Sequence, residues 1–106
     1  MAAYLYGNIE IHDPALYESY RAVVPALIAA HGGRYLVRGG TAEVLEGSSQ
    51  ALRQVIVEFP DMAALKAFYD SPEYTAAKAV RQKASNGMLV AIEGVLPQPA
   101  SSPRRL

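Results

Sequence analysis

The chain of 106 residues contains no cysteine, no tryptophan and only two histidines. Without cysteine there is no disulfide framework, no thiolate nucleophile and no cysteine-ligated metal. His12 and His31 stand apart, one at a strand exit and one at a helix end. Zinc sites need three or four ligands at characteristic spacing, so no metal is expected. His31 reads instead as a cation favoured at a helix C-terminus. Net charge is missing too, because ten basic residues balance ten acidic ones. No overall field draws the chain to nucleic acid or to acidic membranes. The longest apolar run, Val23 to Ala30, contains Pro25 and is far too short to span a bilayer. The N-terminus has neither a basic n-region nor an apolar h-region. The expectation is a cytoplasmic protein with neither membrane nor nucleic acid as partner.

Catalytic signatures are equally scarce. There is no G-x-S-x-G elbow, and Ser71, followed by proline, suits a helix cap better than a nucleophile. Gly32-Gly33 and Gly39-Gly40 each lie beside an arginine, but neither forms G-x-G-x-x-G or a P-loop. No cofactor is signalled.

What the chain does have is periodicity. Tyr4 to Ile11 alternates, with Leu5, Gly7, Ile9 and Ile11 on one side and Tyr4, Tyr6, Asn8 and Glu10 on the other. Asp13-Pro14 then starts a helix, the aspartate as cap and proline at a position whose N–H is unpaired anyway. Leu16, Tyr20, Val23, Val24, Leu27 and His31 follow at helical spacing. Pro25 deletes a backbone bond within that run, which predicts a kink or two abutting helices. Gly32-Gly33 ends it.

Arg34 to Arg38 reads as a second strand, continued by Glu43 to Glu46 across a bulge at Gly39-Gly40. Gly47-Ser48-Ser49-Gln50 is a hairpin turn into a third strand, Arg53 to Phe59, with Val55, Val57 and Phe59 on one face. Pro60-Asp61 breaks that strand and caps a helix carrying Leu65, Phe68 and Tyr69. Ser71-Pro72-Glu73 repeats the signal and starts another, through Tyr74, Ala77, Val80, Arg81 and Ala84. Asn86-Gly87 is expected to end it, with Met88 to Val95 as the last strand.

The order β-α-β-β-α-β, its second helix split in two, predicts an α+β fold of the ferredoxin-like kind. Helices cover one face of an antiparallel sheet. The other face, with Tyr4, Tyr6, Ile56, Leu89, Ala91 and Val95, would be wet in a monomer. Apolar surface of that kind usually marks an interface, and two such sheets facing across a two-fold axis would close a barrel. A homodimer is expected. Residues 1–96 form the domain, and 97–106, with three prolines, two serines and two arginines, read as a disordered tail.

An ordered set of short motifs adds to this. Asp13-Pro14 with Tyr17 and Tyr20 is followed by Gly32-Gly33-Arg34, Arg38-Gly39-Gly40, Glu46-Gly47, Glu58-Phe59-Pro60, Ser71-Pro72-Glu73-Tyr74, Arg81 and Glu93-Gly94. Across residues 4 to 96 the chain resembles the domain-of-unknown-function-1330 family, within the dimeric α+β barrel superfamily. The resemblance implies the ferredoxin-like fold and a dimer. Wider relatives include cofactor-free monooxygenases, isomerases and haem enzymes, so it implies no single activity.

Two groups of side chains could carry chemistry. The charged set Arg34, Arg38, Glu46, Glu58, Arg81 and Glu93 either pairs across strands and across the dimer or grips a carboxylate or enol oxygen with an arginine fork. The tyrosines, seven against two phenylalanines, either fill the core or wall a cleft for a flat apolar ligand. Placement at element ends, together with the resemblance, selects Tyr20, Arg34, Glu46, Tyr74 and Arg81 as the residues expected to line a small-molecule cleft between sheet and helices. An enzymatic alternative uses Glu46 or Glu58 as base and an arginine to hold the developing oxyanion. A structural dimerisation module without ligand is the third reading.

Overall fold

The structure, a computed structural model, describes residues 1–48 and 52–95. The expected tail and the second half of the Gly47–Gln50 turn lie outside the described residues. Strand β1 (Ala3–Ile11) has the expected alternation: Ala3, Leu5, Gly7 and Ile9 are buried, with Tyr4, Tyr6 and Asn8 half-exposed between them. Helix α1 (Pro14–Ala30) opens on Asp13, whose carboxylate accepts from the Leu16 N–H at 3.1 Å. Pro25 does not divide it; one helix runs through to Ala30. Tyr17, Val24 and Ile28 are its buried face.

Strand β2 (Arg34–Arg38) is shorter than expected. The register shift sits between Tyr35 and Val37, not at Gly39-Gly40. After Arg38 the chain leaves the sheet, and Glu43 to Glu46 is not a strand. Val44 and Leu45 are consecutive, so on a strand only one could face the core; both are exposed. Strand β3 (Arg53–Phe59) follows, then α2 (Met62–Asp70) and α3 (Pro72–Ala84). Asp61 caps α2 through the Ala64 N–H at 2.8 Å, and the Ser71 hydroxyl caps α3 through the Tyr74 N–H at 3.2 Å.

The last strand corrects the sequence reading. Strand β4 (Ser85–Glu93) begins directly after Ala84, so Asn86-Gly87 lies inside it. Helix α3 stops without glycine because its end is otherwise satisfied. The Ser85 hydroxyl donates to the Arg81 carbonyl, and the Ala84 carbonyl accepts from the His12 and Asp13 N–H groups. Gly87 is needed for a different reason: a Cβ there would stand 2.3 Å from the Asn8 carbonyl oxygen. Glycine lets β4 approach β1 closely.

The four strands form an antiparallel sheet in the order β2-β3-β1-β4, with β1 and β3 central. This is the α+β ferredoxin-like fold, its second helical segment split at Ser71. The core lies between sheet and helices, where Phe68 touches Phe59 and Tyr74 with ring centroids 5.4 and 4.5 Å apart. Pairing of Tyr6 with Val90 and Gly7 with Leu89 fixes the faces of β4. Leu89 and Ala91 turn to the helix side, whereas Met88, Val90 and Ile92 share the outer face with Tyr4, Tyr6 and Ile56. Both sets are apolar, so alternation alone could not tell them apart.

Candidate functional site

Gly7 sits mid-strand on the helix-facing side of β1, where a Cβ would stand 2.8 Å from Leu89 Cδ2. A cavity of about 50 Å³ lies between this face of the sheet and the helices. It has room for a few waters or one end of a small molecule, well below the roughly 300 Å³ of a pocket that swallows a whole drug-sized ligand. Leu5, Ile9, Val55 and Val57 form its floor with Gly7, and α1 and α3 close it from above.

Helical spacing positions the upper wall. Tyr17, Tyr20, Arg21, Val24 and Ile28 lie along one side of α1, and Tyr74 and Arg81, two turns apart, along one side of α3. The Tyr20 and Tyr74 hydroxyls meet at 2.9 Å. Their rings cross edge to face at 6.2 Å, and Tyr17 lies 5.3 Å from Tyr20. Strand β2 adds Tyr35 and Arg38, whose guanidinium carbon lies 4.5 Å over the Tyr35 ring. Strand β3 adds Arg53, 5.9 Å from the centre of the Tyr17 ring.

Among the described residues four arginines, 21, 38, 53 and 81, line this cavity, and no aspartate or glutamate does. Arg81 is buried, at 7% exposed. Burial works against its charge, but the Tyr74 and Tyr20 oxygens beside it more than compensate and hold its pKa above the ordinary value. The Nε atoms of Arg81 and Arg53 are buried and have no hydrogen-bond partner among the described residues. Burial, and then the neighbouring Tyr74, pushes the Tyr20 phenol far above its usual range. Burial also raises Tyr35, against the opposing pull of Arg38. Tyr20 and Tyr35 are therefore neutral phenols and Arg81 a fixed cation.

Of the five residues selected from sequence, Tyr20, Tyr74 and Arg81 come together here. Arg34 and Glu46 do not. Arg34 pairs with Val57's neighbour Glu58 across the outer face, Nε to Oε1 at 2.7 Å, and Tyr4 donates to the same carboxylate at 3.3 Å. Glu46 is exposed on the segment after Gly40. Tyr17, Tyr35, Arg21, Arg38 and Arg53 were not selected. Arg53 was legible, since it keeps step with Val55 and Val57; Arg38 was not, because the bulge after Tyr35 changes its phase. Among the described residues no group of three His, Asp or Glu side chains is placed to hold a metal ion.

Residues 2–95 match the family described as Domain of unknown function (DUF1330). The chain belongs to that family. No curated protein matches the sequence. Solved structures do resemble this DUF1330 member. A protein of unknown function from Rhodopseudomonas palustris shares 19% identity, with a TM-score of 0.72 over 91% of this chain and 84% of that one. A dimeric ferredoxin-like protein of unknown function from Jannaschia sp. CCS1 shares 18%, with a TM-score of 0.67 over 89% of this chain and 100% of that one. SnoaB, a cofactor-independent oxygenase from Streptomyces nogalater, shares 14%, with a TM-score of 0.58 over 95% and 98%. At these identities the likeness is one of fold.

Proposed function

We propose that this DUF1330 protein is a homodimeric small-molecule-binding domain of the α+β barrel type, with one cavity per subunit between the sheet and helices α1 and α3. The observation that carries the reading is the cavity itself. An apolar wall with a few converging polar tips is the usual make-up of a ligand site, and here the tips are Tyr20, Tyr74 and Arg81.

The dimer rests on the opposite face of the sheet. Met88, Val90 and Ile92 are exposed there beside Tyr4, Tyr6 and Ile56, and a structural relative is itself dimeric. Polar groups on that face are already paired. Tyr6 donates to Gln54, Gln54 to Asn8, and Arg34 to Glu58. Such a face can be covered without stranding donors.

An oxygenase or isomerase that uses Glu46 or Glu58 as base is less well supported. Glu58 lies across the sheet in its pair with Arg34, and Glu46 is exposed. Tyr20 and Tyr35 in the cavity, held protonated by burial, are poor bases.

Native mass spectrometry of freshly purified protein tests the proposal. The expected spectrum is a dimer with a reproducible small adduct on each subunit. A bare monomer would contradict both parts of it.

A further inference from the structure

We propose that the cavity receives the carboxylate of a small organic acid, anchored on Arg81, with the apolar part of that acid against the sheet. This deepens the binding reading above and rests on it.

The first argument is unbalanced charge. Arg81 lies on the buried face of α3, and its Nε finds no acceptor among the described residues. The ion pairs among those residues are Glu18–Arg21 and Glu58–Arg34, and neither involves Arg81 or Arg53. A buried cation without a counter-ion is costly, and removing that cost is a strong source of affinity for an anion. Burial keeps the Tyr20 hydroxyl beside it protonated, so that group cannot supply the missing charge.

The second argument is the shape and chemistry of the walls. A guanidinium is a planar fork that matches a carboxylate with two parallel bonds. The Tyr20–Tyr74 hydroxyl pair adds a donor at the same end of the cavity. The rest of the lining sets Leu5, Ile9, Val55 and Phe68 beside Arg21, Arg38 and Arg53. The apolar members suit a hydrocarbon or aromatic body, and the further arginines add to the positive charge. A phosphate ester is a worse match. It brings close to two charges and three oxygens into a space of only about 50 Å³. A neutral ligand would leave Arg81 as it is.

Acetate and acetamide, nearly isosteric and differing in charge, are the probes. The readout is the Arg81 Nε–H resonance of the uniformly labelled wild-type protein, at constant ionic strength held with sodium chloride. Acetate is expected to shift it saturably, with acetamide at least about tenfold weaker, the weight of a charge-assisted bond over a neutral one. Arg81→Lys keeps the charge but loses the fork, and is expected to weaken acetate several-fold. Should that variant not fold, Arg53→Met at the partly exposed strand start is expected to weaken acetate as well. Equal shifts by acetate and acetamide would leave the binding reading standing and overturn the charge inference. No shift by either would overturn both, with water filling the cavity.

Discussion

The Tyr20 and Tyr74 hydroxyls, 54 positions apart in sequence, meet at 2.9 Å across the contact between α1 and α3. One phenol donates to the other beside the Arg81 guanidinium, so two helices and the cavity share a single polar point. A double-mutant cycle with Tyr20→Phe and Tyr74→Phe, followed by urea unfolding, should give a coupling of about 1 kcal/mol. Strict additivity of the two changes would show that the bond adds nothing to stability.

The same pair makes stability depend on alkaline pH. In the unfolded chain Tyr20 ionises near its ordinary value of 10.0, whereas in the fold its pKa is far higher. Below pH 10 both states hold the proton and the contribution is fully present. Above it only the unfolded state releases the proton, so stability falls by about 1.4 kcal/mol per pH unit from this group. Unfolding free energies of wild type and Tyr20→Phe between pH 9 and 11.5 should diverge by that slope, with the variant less sensitive. Parallel curves would mean that Tyr20 titrates normally.

Gly87→Ala should destabilise the protein although the position is exposed. Its Cβ would meet the backbone of Asn8 and Ile9, at 2.3 and 2.9 Å, and backbone cannot rotate away as a side chain can. A loss of about 1–3 kcal/mol is expected, read from urea midpoints. Faster amide exchange along β1 and β4 should accompany it.

Ile92→Glu places a charge on the outer face of β4, opposite Tyr4. If that face joins two copies, sedimentation should show a monomer with the far-ultraviolet spectrum intact. A dimer undisturbed by this change would locate the subunit contact elsewhere.

Phe68→Ala removes a ring that touches Phe59, Tyr74 and His31. A cost of about 3–5 kcal/mol is expected from calorimetry or urea unfolding. A cost under about 1 kcal/mol would mean that the core around it collapses to fill the gap.

Much of the fold could be read from residues that act locally. Asp13, Asp61 and Ser71 each cap a helix where the sequence places a cap, because the bond runs to a backbone N–H three residues on. The phase of β1 and β3 followed from alternation of apolar and polar residues. The phase of β4 did not, since Met88, Val90 and Ile92 are as apolar as Leu89 and Ala91. Gly87 was misread as a helix end because its reason is non-local: the carbonyl of Asn8 is too close for a side chain.

The site divides in the same way. Tyr74 and Arg81 share a helix face by spacing, and Tyr20 joins them across a helix contact. Arg34 and Glu46 were selected for their placement at element ends and for the resemblance, but strand register sets where they go. Register puts Arg34 opposite Glu58 on the outer face, and the chain leaves the sheet before Glu46 is reached. Arg38 enters the cavity through a bulge that no residue type announces.

A crystal structure of the protein as purified, taken without added ligand, tests the central claim most directly. The account predicts non-protein density in the cavity between the sheet and helices α1 and α3, with an oxygen within hydrogen-bond distance of Arg81 Nε and of Tyr20 or Tyr74. A collapsed cavity with Arg81 turned onto a protein carboxylate would contradict it.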